Sequence, residues 1–250
     1  MNYLTYGTKG NRTLLFIHGM ASTALLCFEP LLKYFTDYYV VLAEVDGHSR
    51  NVEGDLDNLN KSCDDIERYI MEHFQGHIYG LCGFSMGATM SIELISRGNI
   101  NVDKVVLDGA FTVNMGMKTR LFKNCFTMSV KRIQQGKKVP KFLMDYVIGK
   151  NNSSVVDMLY QDVTTNTIIN VCEFVYKYDI PFGLKQFNNP ILFLRGSREK
   201  YPQKSAVLLR KYLPQMEERV FNKMGHGQYL HEHSSEYAKE LIDFLTRPHV

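Results

Sequence analysis

The chain has 250 residues, of which 45% are hydrophobic and 22% charged, with a formal net charge of +3 and no Trp. That excludes disorder, collagen and coiled coil, and gives ample length for one large α/β core. A charge of +3 is too small to imply a nucleic-acid partner by itself.

No apolar run approaches the roughly 18 residues that cross a bilayer, and the start, MNYLTYGTKGNRT, lacks the apolar stretch of a signal peptide. A cytoplasmic protein without a membrane span is expected. Cys27, Cys63, Cys82, Cys125 and Cys172 lie far apart, without CxxC or metal-ligand spacing, and read as reduced structural thiols.

In chain order, residues 3–13 suggest a short antiparallel edge hairpin. Apolar runs then predict strands at Leu14–Ile17, Tyr39–Val45, His77–Cys82, Lys104–Leu107, Ile191–Arg195 and Glu218–Asn222. Helical periodicity falls between them at Glu29–Phe35, Lys61–Phe74, Met86–Arg97, Lys204–Leu213 and Ser235–Leu245. Ser62, followed three residues later by Asp65, predicts an N-terminal cap pair for the second of these helices. Such alternation is the pattern of a mostly parallel sheet flanked by helices.

Residues 111–187 break the alternation with successive helical stretches near Met117–Gln135, Pro140–Ile148, Ser153–Asp162 and Thr165–Lys177. They predict a helical lid inserted into a core made of residues 1–110 and 188–250. In the first stretch Met117, Leu121, Phe122, Cys125, Phe126, Val130 and Ile133 recur at helical spacing, an expected single apolar face over the sheet.

The sharpest chemical signal is Gly83-Phe84-Ser85-Met86-Gly87, between an apolar strand and a helical run. This GxSxG in a strand-to-helix turn would hold Ser85 in a strained conformation as a nucleophile, with glycines where side chains would collide. A Ser hydroxyl needs a base, and the base needs a carboxylate to orient it. His226, in GHG just after the last strand, is the candidate base. Glu199 follows ILFL and precedes His226 by 27 residues, which makes it the favoured acid; Asp108, after VVL, is the alternative. The oxyanion of a tetrahedral intermediate needs two amide donors, for which the sequence offers Met86 and, in His18-Gly19-Met20, Met20. His18 reads as a loop-shaping residue bonded to backbone. His231 and His233 fall in a polar segment and are expected to be exposed.

Together these segments resemble the α/β-hydrolase superfamily over nearly the whole chain: HGM at 18–20, FEPLL at 28–32, DGHS at 46–49, GFSMG at 83–87, PILFLRGSRE at 190–199, and GHG with the terminal DFL. The chain departs from the family pattern in carrying Glu199 where Asp is usual and a DGHS loop shorter than DxxGxGxS. The insertion is similar to the lid of small single-domain carboxylesterases, including the pimeloyl-ester esterase and the karrikin and strigolactone receptor types. The resemblance implies ester or thioester hydrolysis through an acyl-enzyme on Ser85, with no metal or organic cofactor, a small-molecule acyl ester as substrate, and a monomer or homodimer. Gly19, Phe84, Phe122 and Phe126 are the expected substrate-binding residues. A C-C hydrolase, a lyase or a slow ligand-sensing protein would share these features.

Between Thr112 and Lys150 stand Lys118, Arg120, Lys123, Lys131, Arg132, Lys137, Lys138, Lys141 and Lys150 against Asp145 alone, a local +8 that leaves −5 for the rest of the chain. This field suggests an anionic substrate or an acidic docking surface, against a merely solvated outer face. Met115, Met117, Met128, Met144 and Met158, with Phe122, Phe126, Phe142, Phe174 and Phe182, could line an acyl pocket or form a small helical core.

Overall fold

The computed structural model describes residues 1–49, 54–140 and 163–248. Its centre is a seven-stranded sheet of β1 (Asn2–Tyr6), β2 (Thr13–Ile17), β3 (Tyr39–Glu44), β4 (His77–Phe84), β5 (Asn101–Asp108), β6 (Ile191–Gly196) and β7 (Glu217–Phe221). The order across the sheet is β1-β3-β2-β4-β5-β6-β7, with β1 antiparallel and every other pairing parallel. The connections lead from β2 outward to β3 and then back across to β4, so the strand order reverses between β2 and β4. In open α/β sheets the crevice beyond the carboxyl ends at such a reversal is where ligands bind.

Eight α-helices stand among the described residues: α1 (Ala24–Leu32), α2 (Leu59–Phe74), α3 (Met86–Arg97), α4 (Lys118–Gln134), α5 (Thr165–Val175), α6 (Lys200–Leu209), α7 (Gln228–Glu232) and α8 (Ser234–Thr246). The doubly covered sheet reads as continuous apolar runs, and it splits the core into two clusters. One unites Ile17, Val41, Leu81 and Leu107 with α2, α3, α4 and α5; the other unites Leu14, Phe16, Leu42 and Val106 with α1 and α8. Lys104 is buried in β5, where its ammonium is satisfied by the carbonyls of Phe244, Leu245 and Arg247 at the end of α8. A cation there complements the negative end of the helix.

Four local expectations are corrected. The residue 3–13 hairpin does not form: β1 pairs with β3, from Asn2↔Glu44 to Tyr6↔Val40. The chain turns at Gly7 (φ 83), where a Cβ would lie 2.2 Å from the Tyr38 carbonyl oxygen, and so passes along β3 rather than folding back on β2. Helix α2 starts two residues before Lys61 because Asn58 caps it, accepting from the Lys61 amide at 2.9 Å; Ser62 is buried inside the helix. Helix α1 begins at Ala24, capped by Thr23, and contains Pro30; i→i+3 bonds from Tyr34 and Phe35 close it short of the expected end. Helix α6 begins directly after Glu199, four residues early, with Pro202 in the first turn, where no intrahelical amide bond is lost.

The single apolar face expected for residues 117–133 is also divided. Phe122, Phe126 and Val130 point inward, whereas Met117 and Leu121 are exposed. Met117, Met128 and Phe182 therefore do not line an acyl pocket. The expected helices at 140–148 and 153–162, with Phe142, Met144 and Met158, lie essentially outside the described residues.

Candidate active site

The crevice between β2 and β4 brings Gly19 directly over Ser85: a Cβ on Gly19 would lie 3.3 Å from the Ser85 Cβ and 2.8 Å from the Phe84 ring. Ser85 itself has φ 56 and ψ −112. For a non-glycine residue this conformation costs on the order of 1–3 kcal/mol, so the surroundings must impose it. They do so through the Ser85 amide, which donates to the Asp108 carbonyl at 2.7 Å, and the Ser85 carbonyl, which accepts from the Ala88 and Thr89 amides at 3.1 and 3.2 Å. The flanking glycines are steric necessities. A Cβ on Gly83 would meet the Gly87 carbonyl at 2.4 Å, and one on Gly87 would meet the Ile17 carbonyl oxygen at 2.0 Å.

The Ser85 hydroxyl donates to His226 Nε2 at 2.8 Å, and His226 Nδ1–H donates to Glu199 Oε1 at 2.5 Å. The second carboxylate oxygen of Glu199 accepts from the Gly196 amide. Glu199 occupies the N-cap position of α6, yet its side chain caps nothing there, because both oxygens are engaged in this loop. Asp108, the alternative acid, faces elsewhere: its Oδ2 accepts from Tyr237 OH at 3.0 Å. Burial, reinforced by the charge of Glu199, pushes Asp108 up to about 7. For His226, burial works against the imidazolium, but the hydrogen bond and charge of Glu199, with the charge of Asp108, outweigh it and raise its pKa.

The loops carrying Glu199 and His226 are joined to each other. The Ser197 amide donates to Phe221 O at 2.9 Å, the Arg198 amide to Met224 O at 3.1 Å, and the Lys223 amide to Ser197 Oγ at 2.8 Å. A Cβ on Gly196 would lie 2.2 Å from Met224 O, so the two loops meet only because position 196 has no side chain.

Met86 opens α3, whose first four amides have no carbonyl within the helix to accept them. Gly87 donates to His18 O, and Ala88 and Thr89 to Ser85 O; among the described residues no carbonyl takes the Met86 amide. Met20 follows Gly19 on the opposite lip, and Ala21 after it has φ 59. Two devices hold this lip to the end of β3. His18 Nδ1–H donates to Gly19 O at 2.8 Å while Nε2 accepts from the Val45 amide at 3.0 Å, which is why β3 stops before Val45. Glu44 Oε2 accepts from the Ala24 amide at 3.1 Å. Burial lowers His18 to about 3, assisted by His48, and raises Glu44 to about 7, so the imidazole stays neutral and keeps its acceptor.

Of the expected substrate-binding residues, Gly19 borders Ser85, and Phe84 lies beneath the site, stacked on the His226 ring with centroids 5.0 Å apart. Phe122 and Phe126 belong to a ring cluster with Tyr176, which reaches His226 through Phe111, 5.8 Å from it; Tyr201 joins Phe111 and Phe122. Contrary to expectation, His231 and His233 are only partly exposed. Sequence reasoning missed Glu44, Phe111, Tyr176, Tyr201 and Gly109. Gly109 has φ 62, and a Cβ there would press on the His226 ring at 2.7–2.9 Å. The signal for it was present in Leu107-Asp108-Gly109, a glycine at the carboxyl end of a strand next to the nucleophile strand.

A proton can thus pass from Ser85 to His226 while Glu199 fixes the ring. Among the described residues, no three His, Cys, Asp or Glu side chains cluster as metal ligands, and no helix is long and apolar enough to cross a membrane.

Solved structures share the fold over nearly the whole chain. A protein of Desulfitobacterium hafniense described as an α/β-hydrolase family member superposes with a TM-score of 0.86 at 20% identity, covering 98% of this chain and 100% of its own. A lipase-esterase related protein of Clostridium acetobutylicum gives 0.75 at 21%, covering 97% and 98%. A structure from work on carboxylesterases of the thaumarchaeon Nitrososphaera gargenis gives 0.76 at 18%, covering 98% and 94%. No curated protein matches the sequence. The family model of the alpha/beta hydrolase fold matches residues 12–165, more than half of the chain. With the switch-point crevice and the strand-turn-helix around Ser85, that match makes the chain a member of the α/β-hydrolase family, and its enzymes' class a hydrolase.

Proposed function

We propose that the protein is a serine carboxylesterase that cleaves small to medium acyl esters through an acyl-enzyme. The observation that carries this reading is the continuous hydrogen-bonded chain from Glu199 through His226 to Ser85. In the first half-reaction Ser85 Oγ adds to the ester carbonyl as its proton moves to His226 Nε2. The Met20 and Met86 amides hold the oxyanion, a contribution of about 10²- to 10³-fold for one such donor. The leaving alkoxide takes the proton from His226 as the carbonyl re-forms. Water then repeats the sequence on the acyl-enzyme, releasing the acid and restoring the Ser85 hydroxyl. The esterase-related descriptions of the two neighbours above agree with this reading.

The ring cluster of Phe111, Phe122, Phe126, Tyr176 and Tyr201 supports an apolar acyl group, and it favours esters over charged substrates at the reacting centre. The test is a fluorophosphonate label followed by peptide mapping, together with p-nitrophenyl esters from acetate to decanoate. Labelling of Ser85 alone and turnover rising from acetate to a medium chain are expected; a folded protein that neither labels nor turns over would refute the proposal.

The reaction needs His226 neutral, and its pKa lies above the ordinary 6.5. The kcat/KM profile should therefore fall on acidification with a midpoint above 6.5, later levelling at high pH. A midpoint below that value would show that burial outweighs the support Glu199 and Asp108 give the imidazolium.

A further inference from the structure

Helix α4 turns Phe122 and Phe126 toward the ring cluster and presents a different composition to solvent. At about 100° per residue, Met117, Leu121 and Met128 fall within a sector of about 40° on its outer side. They are 96%, 52% and 49% exposed. By the same geometry, Arg120 and Lys131 border this apolar stripe on one side and Lys118 and Arg132 on the other. Lys118, Arg120 and Lys131 are exposed, and Arg132, partly exposed, reaches the Lys138 carbonyl at 3.0 Å. Lys123, on the flank toward α5, is paired with Glu173 at 2.5 Å and does not belong to the border. From residue 112 to residue 140 there are seven Lys or Arg and no Asp or Glu.

We propose that the outer face of α4 docks on an anionic lipid surface, with Met117, Leu121 and Met128 entering the acyl boundary and Lys118, Arg120, Lys131 and Arg132 meeting the headgroups. A helix lying in the plane of a bilayer needs this arrangement: an apolar stripe at its centre, and on both flanks cations whose methylene stems follow the stripe down while their charges reach back to the phosphates. A second copy of the chain is a poor occupant of the same face, because it would set these cations against its own, with no acid on α4 to relieve them. An acidic polypeptide would answer the charges but leave the central stripe without an apolar partner. Three apolar side chains and four cations amount to two weak signals, and reversible docking needs both. The proposal does not depend on the chemistry at Ser85.

The test is co-sedimentation of the full chain with phosphatidylcholine vesicles, with and without phosphatidylglycerol. Binding is expected only to the anionic vesicles, weakening by about tenfold or more between low and high salt. Arg120→Glu with Lys131→Glu, and separately Met117→Ser with Leu121→Ser and Met128→Ser, should each lower that binding by about tenfold while leaving the thermal melt and turnover of a short p-nitrophenyl ester unchanged. The charge variant keeps the test decisive if the apolar variant fails to fold. Equal binding to neutral and anionic vesicles, binding to neither, or full binding by both variants would overturn the proposal. So would capture of polyglutamate without vesicle binding, or self-association of the wild type that the apolar variant loses while vesicles remain unbound.

Discussion

Ser85→Ala is expected to lower kcat on p-nitrophenyl esters by about 10⁴- to 10⁶-fold and to abolish fluorophosphonate labelling. Ala has the same backbone preference as Ser at φ 56, and the bonds that impose this conformation run through the Ser85 amide and carbonyl, so the turn survives the change. The thermal melt should stay within a few degrees of the wild type, which separates lost chemistry from lost fold. What activity remains would come from the amides of Met20 and Met86 acting on a bound ester attacked by water. Near wild-type turnover by the variant would remove Ser85 from the reaction altogether.

Glu199→Gln and Asp108→Asn separate the two acids by their effects. Gln at 199 puts an amide against His226 Nδ1, favours the wrong tautomer and removes the charge that supports the imidazolium; a loss of about 10²- to 10⁴-fold in kcat is expected. Asn at 108 still accepts from Tyr237 OH, and activity should remain within about threefold of wild type. Its effect appears in stability. Because Asp108 titrates near 7 in the fold and near 3.8 in the unfolded chain, the folded state holds the extra proton between those values, and wild-type stability falls as pH rises through that window. Asp108→Asn removes that fall, so its advantage in chemical denaturation should grow from pH 4 to pH 8, reaching a few kcal/mol. A crippled Asp108→Asn beside an active Glu199→Gln would reverse the assignment.

The sheet was legible because its strands, buried on both faces, are written as unbroken apolar runs, and because GFSMG stands between such a run and a helical stretch, the context of a sharp strand-to-helix turn. Ser85, His226 and Glu199 were legible for a related reason: each stands just beyond the carboxyl end of a strand, and parallel strands bring those ends to one edge. Features settled by packing were not legible. Asn58 and Ser62 are both competent caps, and only the burial of Ser62 against the core decides between them. The partner of β1 depends on the approach of Gly7 to Tyr38, a contact between residues 31 apart. In α4 the periodicity showed that apolar residues recur but not that Met117 and Leu121 leave the stripe of Phe122 and Phe126 for the other side of the helix. Glu44 looked like the tail of a strand, and its bond to Ala24 shows only in three dimensions.

The stitching of the Glu199 loop to the His226 loop makes these two side chains a single mechanical body, supplied by the last quarter of the chain, while the Ser85 hydroxyl belongs to another. Local opening of these two joined loops would withdraw both side chains at once and leave Ser85 anchored in its turn. Amide exchange should then report the protection of Ser197, Arg198 and Lys223 as one cooperative unit, released together and ahead of the amides around β4. Inactivation on mild heating would precede the loss of the sheet, and it would reverse on cooling.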